Sequence, residues 1–131
     1  MNLAEFYRNR YSVGPQIFND NPRIDTVIIV VIPCYDDEHI FTTLDSLDKA
    51  DKPPCTVEVI VVVNSAEDTP SGIITKNRDI YSRLCKITGN FSNFALKPHI
   101  IEGVCHKFAG VGNARKTGMD EAIDRFTKIE N

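Results

Sequence analysis

Much that would place this chain at once is missing from it. No apolar run approaches the length of a membrane span. The opening residues, Met-Asn-Leu-Ala-Glu-Phe, lack the basic stretch and apolar core of a secretory signal. A soluble, cytoplasmic protein is therefore expected. Neither sign of charge dominates: 15 Lys and Arg stand against 18 Asp and Glu, for a net charge of −3. That balance offers no basic face for nucleic acid, whose phosphates must be neutralised. Cys34, Cys55, Cys85 and Cys105 lie far apart with no C-x-x-C pair, so they read as reduced thiols and neither a zinc site nor a disulfide framework is indicated. His39, His99 and His106 lack ligand spacing, which leaves them as core or surface histidines. No Ser-His-Asp arrangement, internal repeat or low-complexity tract can be found. What remains is 131 residues, 42% hydrophobic and 25% charged, the size and composition of one domain with its own core.

The chain is organised around Val27 to Glu38, V-I-I-V-V-I-P-C-Y-D-D-E. Its apolar, mostly β-branched run from Val27 to Ile32 suits a strand buried on both faces, the central strand of a parallel sheet. Pro33 cannot donate to a ladder, so pairing is expected to stop there. Before it, residues 1–25 show no clean period and read as an N-terminal arm packed on the domain. After it, Ile40, Phe41, Leu44 and Leu47 mark one face of a helix over Asp37 to Ala50. Val59 to Val63 is a second buried strand. Thr69-Pro70 supplies a cap and first helical position for a stripe through Ile73, Asn77, Ile80, Tyr81 and Leu84. A shorter strand falls within Lys97 to Gly103. Gly110 and Gly112 then open a last helix, whose face reads Ala114, Gly118, Met119, Ala122, Ile123 and Phe126, small enough in places to approach a sheet closely.

The order β-α-β-α-β-α predicts an α/β fold, a three-layer α-β-α half of a doubly wound, Rossmann-like sheet with parallel strands in the order 3-2-1. In that order the first strand is left along one edge, where so apolar a segment should not face water. A further strand beyond Asn131, or another chain, would cover it. The sequence thus reads as a truncated domain, with self-association through the first-strand edge as an expected property.

Such sheets bind ligands beyond the carboxyl ends of their strands, where three loops should meet. The first, Pro33 to Glu38, brings Cys34, Tyr35 and the carboxylates Asp36, Asp37 and Glu38. Carboxylates can hold ribose hydroxyls and a ring can contact a base, while capping of the next helix would account for one of the three. The second brings Asn64, Ser65, Glu67 and Asp68; the Asn64 amide can read a base edge or merely close a turn. The third, Gly110-Val-Gly112-Asn-Ala-Arg115-Lys116, frees backbone N–H groups to approach an anion. Arg115 and Lys116 oppose the helix dipole there, at roughly 0.3–1 kcal/mol each, which suggests an anionic partner such as a diphosphate. The glycine pattern fits neither G-x-G-x-x-G, since Arg115 stands in place of the third glycine, nor a Walker A loop, which counts against a dinucleotide enzyme.

Together these blocks resemble the N-terminal part of a family 2 glycosyltransferase of the GT-A fold. That family carries P-x-Y-N-E-E after its first strand and T-L-x-S-L in the next helix. Here those segments are Pro33-Cys34-Tyr35-Asp36-Asp37-Glu38 and Thr43-Leu44-Asp45-Ser46-Leu47. Its D-D-G-S-x-D-x-T corresponds to Val63-Asn64-Ser65-Ala66-Glu67-Asp68-Thr69, and its G-x-x-x-A-R-N-x-G to Gly110 through Gly118 with Ala114, Arg115 and Lys116. The likeness covers residues 26–126 in the family's order.

The resemblance implies a sugar-nucleotide donor. It places Pro33, Tyr35 and Glu38 around base and ribose, the residue at Asn64 against the base, and Arg115 near the nucleotide. The candidate nucleotide-binding residues are thus Pro33, Cys34, Tyr35, Asp36, Glu38, Asn64, Ser65 and Arg115. Asn in place of Asp at position 64 leaves GDP open beside UDP, with UDP ahead. The family's D-x-D motif, which binds Mg2+ or Mn2+ with the donor diphosphate, does not occur in this sequence. No catalytic residue and no metal are therefore assigned to the chain. Residues 26–131 are expected to be the nucleotide-binding part of a domain whose metal and acceptor half is missing, inactive alone. The metal is expected in the intact enzyme, which in many relatives builds cell-surface glycans at the cytoplasmic membrane face. A non-enzymatic regulatory or scaffold module on the same fold is the alternative.

Overall fold

A computed structural model describes residues 17–105 and 107–130. His106 and most of the expected N-terminal arm, residues 1–16, lie outside them. Strands β1 (Thr26–Cys34), β2 (Thr56–Ala66) and β3 (Ala95–Val104) alternate with helices α1 (His39–Lys49), α2 (Ser71–Lys86) and α3 (Val111–Glu130). The strands form one parallel sheet in the order β1-β2-β3, the order expected. Among the described residues no helix is long and apolar enough to cross a membrane.

The strand buried on both faces is β2, not β1. Val59 to Val63 are all 0–1% exposed, whereas Val27 and Ile28 of β1 are 67% and 42% exposed. The two runs are chemically alike; β2 differs in having a strand on each side. Nor does pairing stop at Pro33, which faces Val62, with Cys34 facing Val63 after it. An edge strand tolerates proline because the missing donor can fall on the unpaired side. Pro98 sits within β3, the other edge, opposite Val61 for the same reason.

Alternation along β2 builds two cores. Val59, Val61 and Val63 pack with Ile40 and Leu44 of α1 and Ile80 and Leu84 of α2. Ile60 and Val62 meet Ala114 of α3 on the opposite face. Each buried Val, Leu or Ile side chain contributes about 1.5–3 kcal/mol by leaving water.

The α3 contact departs from the expected apolar face. Met119 is 53% exposed, while Asp120, Glu121 and Arg125 are buried. Arg125 donates to both carboxylate oxygens of Glu58 on β2, at 2.5 and 2.7 Å, and also reaches Asp20. Glu121 accepts the backbone N–H groups of Ile17 and Phe18 at 2.9 and 3.0 Å. The helix thus binds the segment before β1 through charge. Small residues do bring it close, as expected: a Cβ on Gly118 would lie 2.3 Å from Val31 Cγ1.

Candidate functional site

The three expected loops converge at the carboxyl end of the sheet on a cleft of about 690 Å³, within the range of small-molecule sites. Pro33, Cys34, Tyr35 and Asp37 line it from the β1 exit, Asn64 and Asp68 from the β2 exit, and Gly110 and Val111 from the start of α3. A cleft of about 750 Å³ at the amino end of the sheet, beside Asp25 and Cys55, is larger. Its Asp25 carboxylate is already engaged by the Thr56 hydroxyl at 2.8 Å and by Arg23 at 3.4 Å. Strand exits and a helix start favour the first cleft as the candidate site.

Tyr35 stands on the rim, 46% exposed. Cys34 beside it is buried, and its thiol is pushed up to about 11 by that burial and by the charge of Asp37. Its Sγ lies 3.6 Å from the Asp37 carbonyl oxygen, to which it donates. A thiol held protonated in this way is no nucleophile.

Asn64 is set by its surroundings. Its Nδ2 donates to the carbonyl oxygens of Cys34 at 3.0 Å and Val62 at 3.4 Å. Both neighbours are acceptors, so the amide nitrogen must face them, and both its hydrogens are used. The Oδ1 has no hydrogen-bond partner among the described residues. Toward a ligand in the cleft, Asn64 is therefore an acceptor, as an aspartate would be.

At the third loop Gly110 has φ +113°, a conformation that favours glycine. It bends the chain into α3, where the Ala114 N–H reaches the Gly110 carbonyl at 3.1 Å. The amides of Val111 to Asn113 precede that first helical bond and can serve an anion.

Four of the eight candidate residues do not line this cleft. Asp36 turns to Lys76, 3.0 Å away, and the hydrogen bond that the lysine donates to Asp36 raises the lysine's pKa. Glu38 faces Arg83 at 3.5 Å, whose guanidinium sits over the Phe41 ring. Ser65 is buried with its Oγ unpartnered. Arg115 is exposed, and Lys116 is engaged by Asp120 at 3.2 Å. The expected Thr69 cap is also absent: its hydroxyl accepts from Ala66 N–H at 2.9 Å, closing the β2 exit loop, and Pro70 stands at the helix start. Ahead of α1, Asp37 Oδ1 accepts the His39 N–H at 2.9 Å, while Glu38 at the helix start makes no capping bond.

A residue that the sequence pattern hides in an apolar stripe ties these loops together. Asn77 of α2 is 1% exposed. Its Oδ1 accepts the Asp36 N–H at 2.9 Å, and its Nδ2 donates to the Asn64 carbonyl at 3.0 Å. The signal available in the sequence was one polar side chain at the centre of Ile73, Asn77, Ile80, Tyr81 and Leu84.

Among the described residues, no group of three or more His, Cys, Asp or Glu side chains could hold a metal ion. The carboxylates described here thus do not fit a divalent-cation site. Comparison with protein-family models, curated proteins and solved structures finds no match.

Proposed function

We propose that this chain is the nucleotide-binding part of a glycosyltransferase similar to family 2, and that the cleft takes the nucleoside diphosphate of a sugar donor. The observation that carries this reading is the orientation of Asn64, whose Oδ1 is the atom left for a ligand at a residue lining the cleft. A fixed acceptor selects a base with a ring N–H, as in uracil or guanine, over cytosine and adenine, whose matching ring nitrogens carry no hydrogen at neutral pH. Tyr35 supplies a ring for the base or sugar, and the amides at the start of α3 face the diphosphate, with Arg115 one turn along the helix. UDP comes first among donors and GDP second. The chemistry assigned to these residues is binding and orientation.

Titration of the isotope-labelled chain with UDP, GDP, CDP and ADP, followed by NMR, tests the proposal. Shifts centred on Tyr35, Asn64 and Gly110, larger and saturating earlier for UDP and GDP, are expected. Absence of any shift there at millimolar UDP and GDP sinks it. Equal responses to all four bases would remove the role given to Asn64.

A further inference from the structure

Tyr35 is held from both sides of its own backbone. The carbonyl before it, on Cys34, accepts from Asn64 Nδ2 at 3.0 Å. The N–H after it, on Asp36, donates to Asn77 Oδ1 at 2.9 Å. Asn77 then closes the circuit by donating to the Asn64 carbonyl at 3.0 Å. Two buried amides thus link the exits of β1 and β2 through α2, with no partner left vacant on Asn77 on the side that faces Asp36.

The held turn is not one the chain adopts freely. Asp36 has φ +48°, the left-handed region that non-glycine residues rarely occupy. The Lys76 pair on the Asp36 carboxylate is half exposed, with side-chain exposures of 42% and 36%, and pairs of that kind contribute little. A hydrogen bond at a fully buried amide is the stronger restraint.

We infer that Asn77 is a positioning residue for the cleft: by holding the Asp36 N–H it fixes the Tyr35 ring on the rim where a planar base would stack. This rests on the nucleotide reading for the identity of the ligand, but not for the restraint itself. Loss of the restraint spreads the turn over several conformations, and apparent affinity falls by the fraction that remains competent. The contacts to a diphosphate at the start of α3 are made by another loop and are spared.

The test compares the wild-type chain with Asn77→Ala and Asn77→Asp. Without ligand, hydrogen exchange of the Asp36 amide and the ring resonances of Tyr35 are followed by NMR. Asn77→Ala should expose the Asp36 amide and shift and broaden the Tyr35 ring. Asn77→Asp, whatever its charge, keeps an oxygen that accepts from Asp36 and should stay nearer wild type in both readouts, which keeps the test alive if the alanine variant does not fold. With ligand, Asn77→Ala should weaken UDP about tenfold, as expected when about a tenth of the molecules keep the competent turn, and leave inorganic pyrophosphate within about twofold. Unchanged exchange at Asp36 and an unchanged Tyr35 ring in Asn77→Ala would overturn the inference, as would equal losses for UDP and pyrophosphate. Failure of the wild-type chain to bind UDP or GDP, with the Asp36 and Tyr35 changes present, would remove the nucleotide reading and leave the restraint standing.

Discussion

The two faces of the sheet are covered by opposite means. On one, α1 and α2 meet β2 through Leu44, Ile80, Leu84, Val59, Val61 and Val63, all but fully buried and entirely apolar. On the other, α3 contributes Ala114 to Ile60 and Val62, and then Arg125 to Glu58, Glu121 to the Ile17–Phe18 backbone, and Lys128 to the carbonyl oxygens of Phe18 and Asp20. Apolar burial is additive in area and indifferent to direction. Buried ion pairs and a glycine contact are directional and fail if one partner moves. The difference has a functional side, because α3 also carries Gly110 and Val111 to the cleft. Charge and close contact fix where that helix starts, as area alone would not.

Removing one partner from the charged face should therefore carry the greatest cost. Arg125→Ala leaves Glu58, 3% exposed, as an uncompensated buried carboxylate, at a cost of about 3–5 kcal/mol. Leu84→Ala on the apolar face should cost about 2–5 kcal/mol by its cavity, so size alone does not separate the two. The separation comes from the second substitution. Adding Glu58→Leu to Arg125→Met should restore most of the stability, since a buried pair exchanged for apolar residues of similar volume is often neutral or better. No change at Glu58 should restore Leu84→Ala. Urea unfolding of Arg125→Ala, Leu84→Ala, Glu58→Leu/Arg125→Met and Glu58→Leu/Leu84→Ala reads this directly, and a Glu58→Leu/Arg125→Met variant as unstable as Arg125→Ala would show that the pair is not what holds α3.

Next in size is the glycine contact. Gly118→Ala places a methyl 2.3 Å from Val31 Cγ1, within the packed face of β1, and overpacking of that kind costs about 1–3 kcal/mol. Val31→Ala in the same chain should recover part of the loss, giving a coupling energy of about 0.5–3 kcal/mol in a double-mutant cycle. Additive losses would mean that α3 shifts along the strand, and NMR shifts at Gly110 would then move as well.

These features differ in how far the sequence shows them. Periodicity exposed β2, α1 and α2, because their cores are apolar and local pattern and burial agree. It misjudged α3, where the buried Arg125 reads as a surface residue until Glu58 and Asp20 are known to face it. Those partners lie far away in sequence. It also gave β1 the central place, since two β-branched runs look alike and only the neighbours distinguish them. At the cleft, Pro33, Cys34, Tyr35 and Asn64 were visible from their position at or just past the carboxyl ends of strands. Asp36 and Glu38 were assigned to the ligand because charge at a strand exit suggests one; Lys76 and Arg83 of α2 take them instead. Ser65 follows from alternation: the residue after Asn64 must point to the other face.

The smallest effect concerns acidity, and it sharpens the contrast without unfolding the protein. His99 of β3 lies under the α3 face with its ring edge against Phe18, centroids 6.3 Å apart. Burial lowers its pKa below the ordinary 6.5, and the Glu121 carboxylate opposes that shift without cancelling it. The folded state therefore binds a proton at His99 less readily than the unfolded chain. Its contribution is fully present above about pH 6.5 and is lost as pH falls through the folded value. Asp20 adds a second, more acidic step. Burial raises its carboxyl, but the hydrogen bonds from Lys97 and Arg125 outweigh this and leave it below 3.8. Its share is present above that value and is lost as pH drops further. Denaturation curves collected from neutral to acidic pH should thus slope downward below about pH 6.5, and His99→Gln should flatten the first part of that slope. Hydrogen exchange should show α3 losing protection before α2, since the titratable groups in and against the core beneath α2, Cys34 and Tyr81, have their pKa values raised and stay protonated throughout this range. If both helices loosen together, or α2 first, the charged face is not the acid-sensitive one.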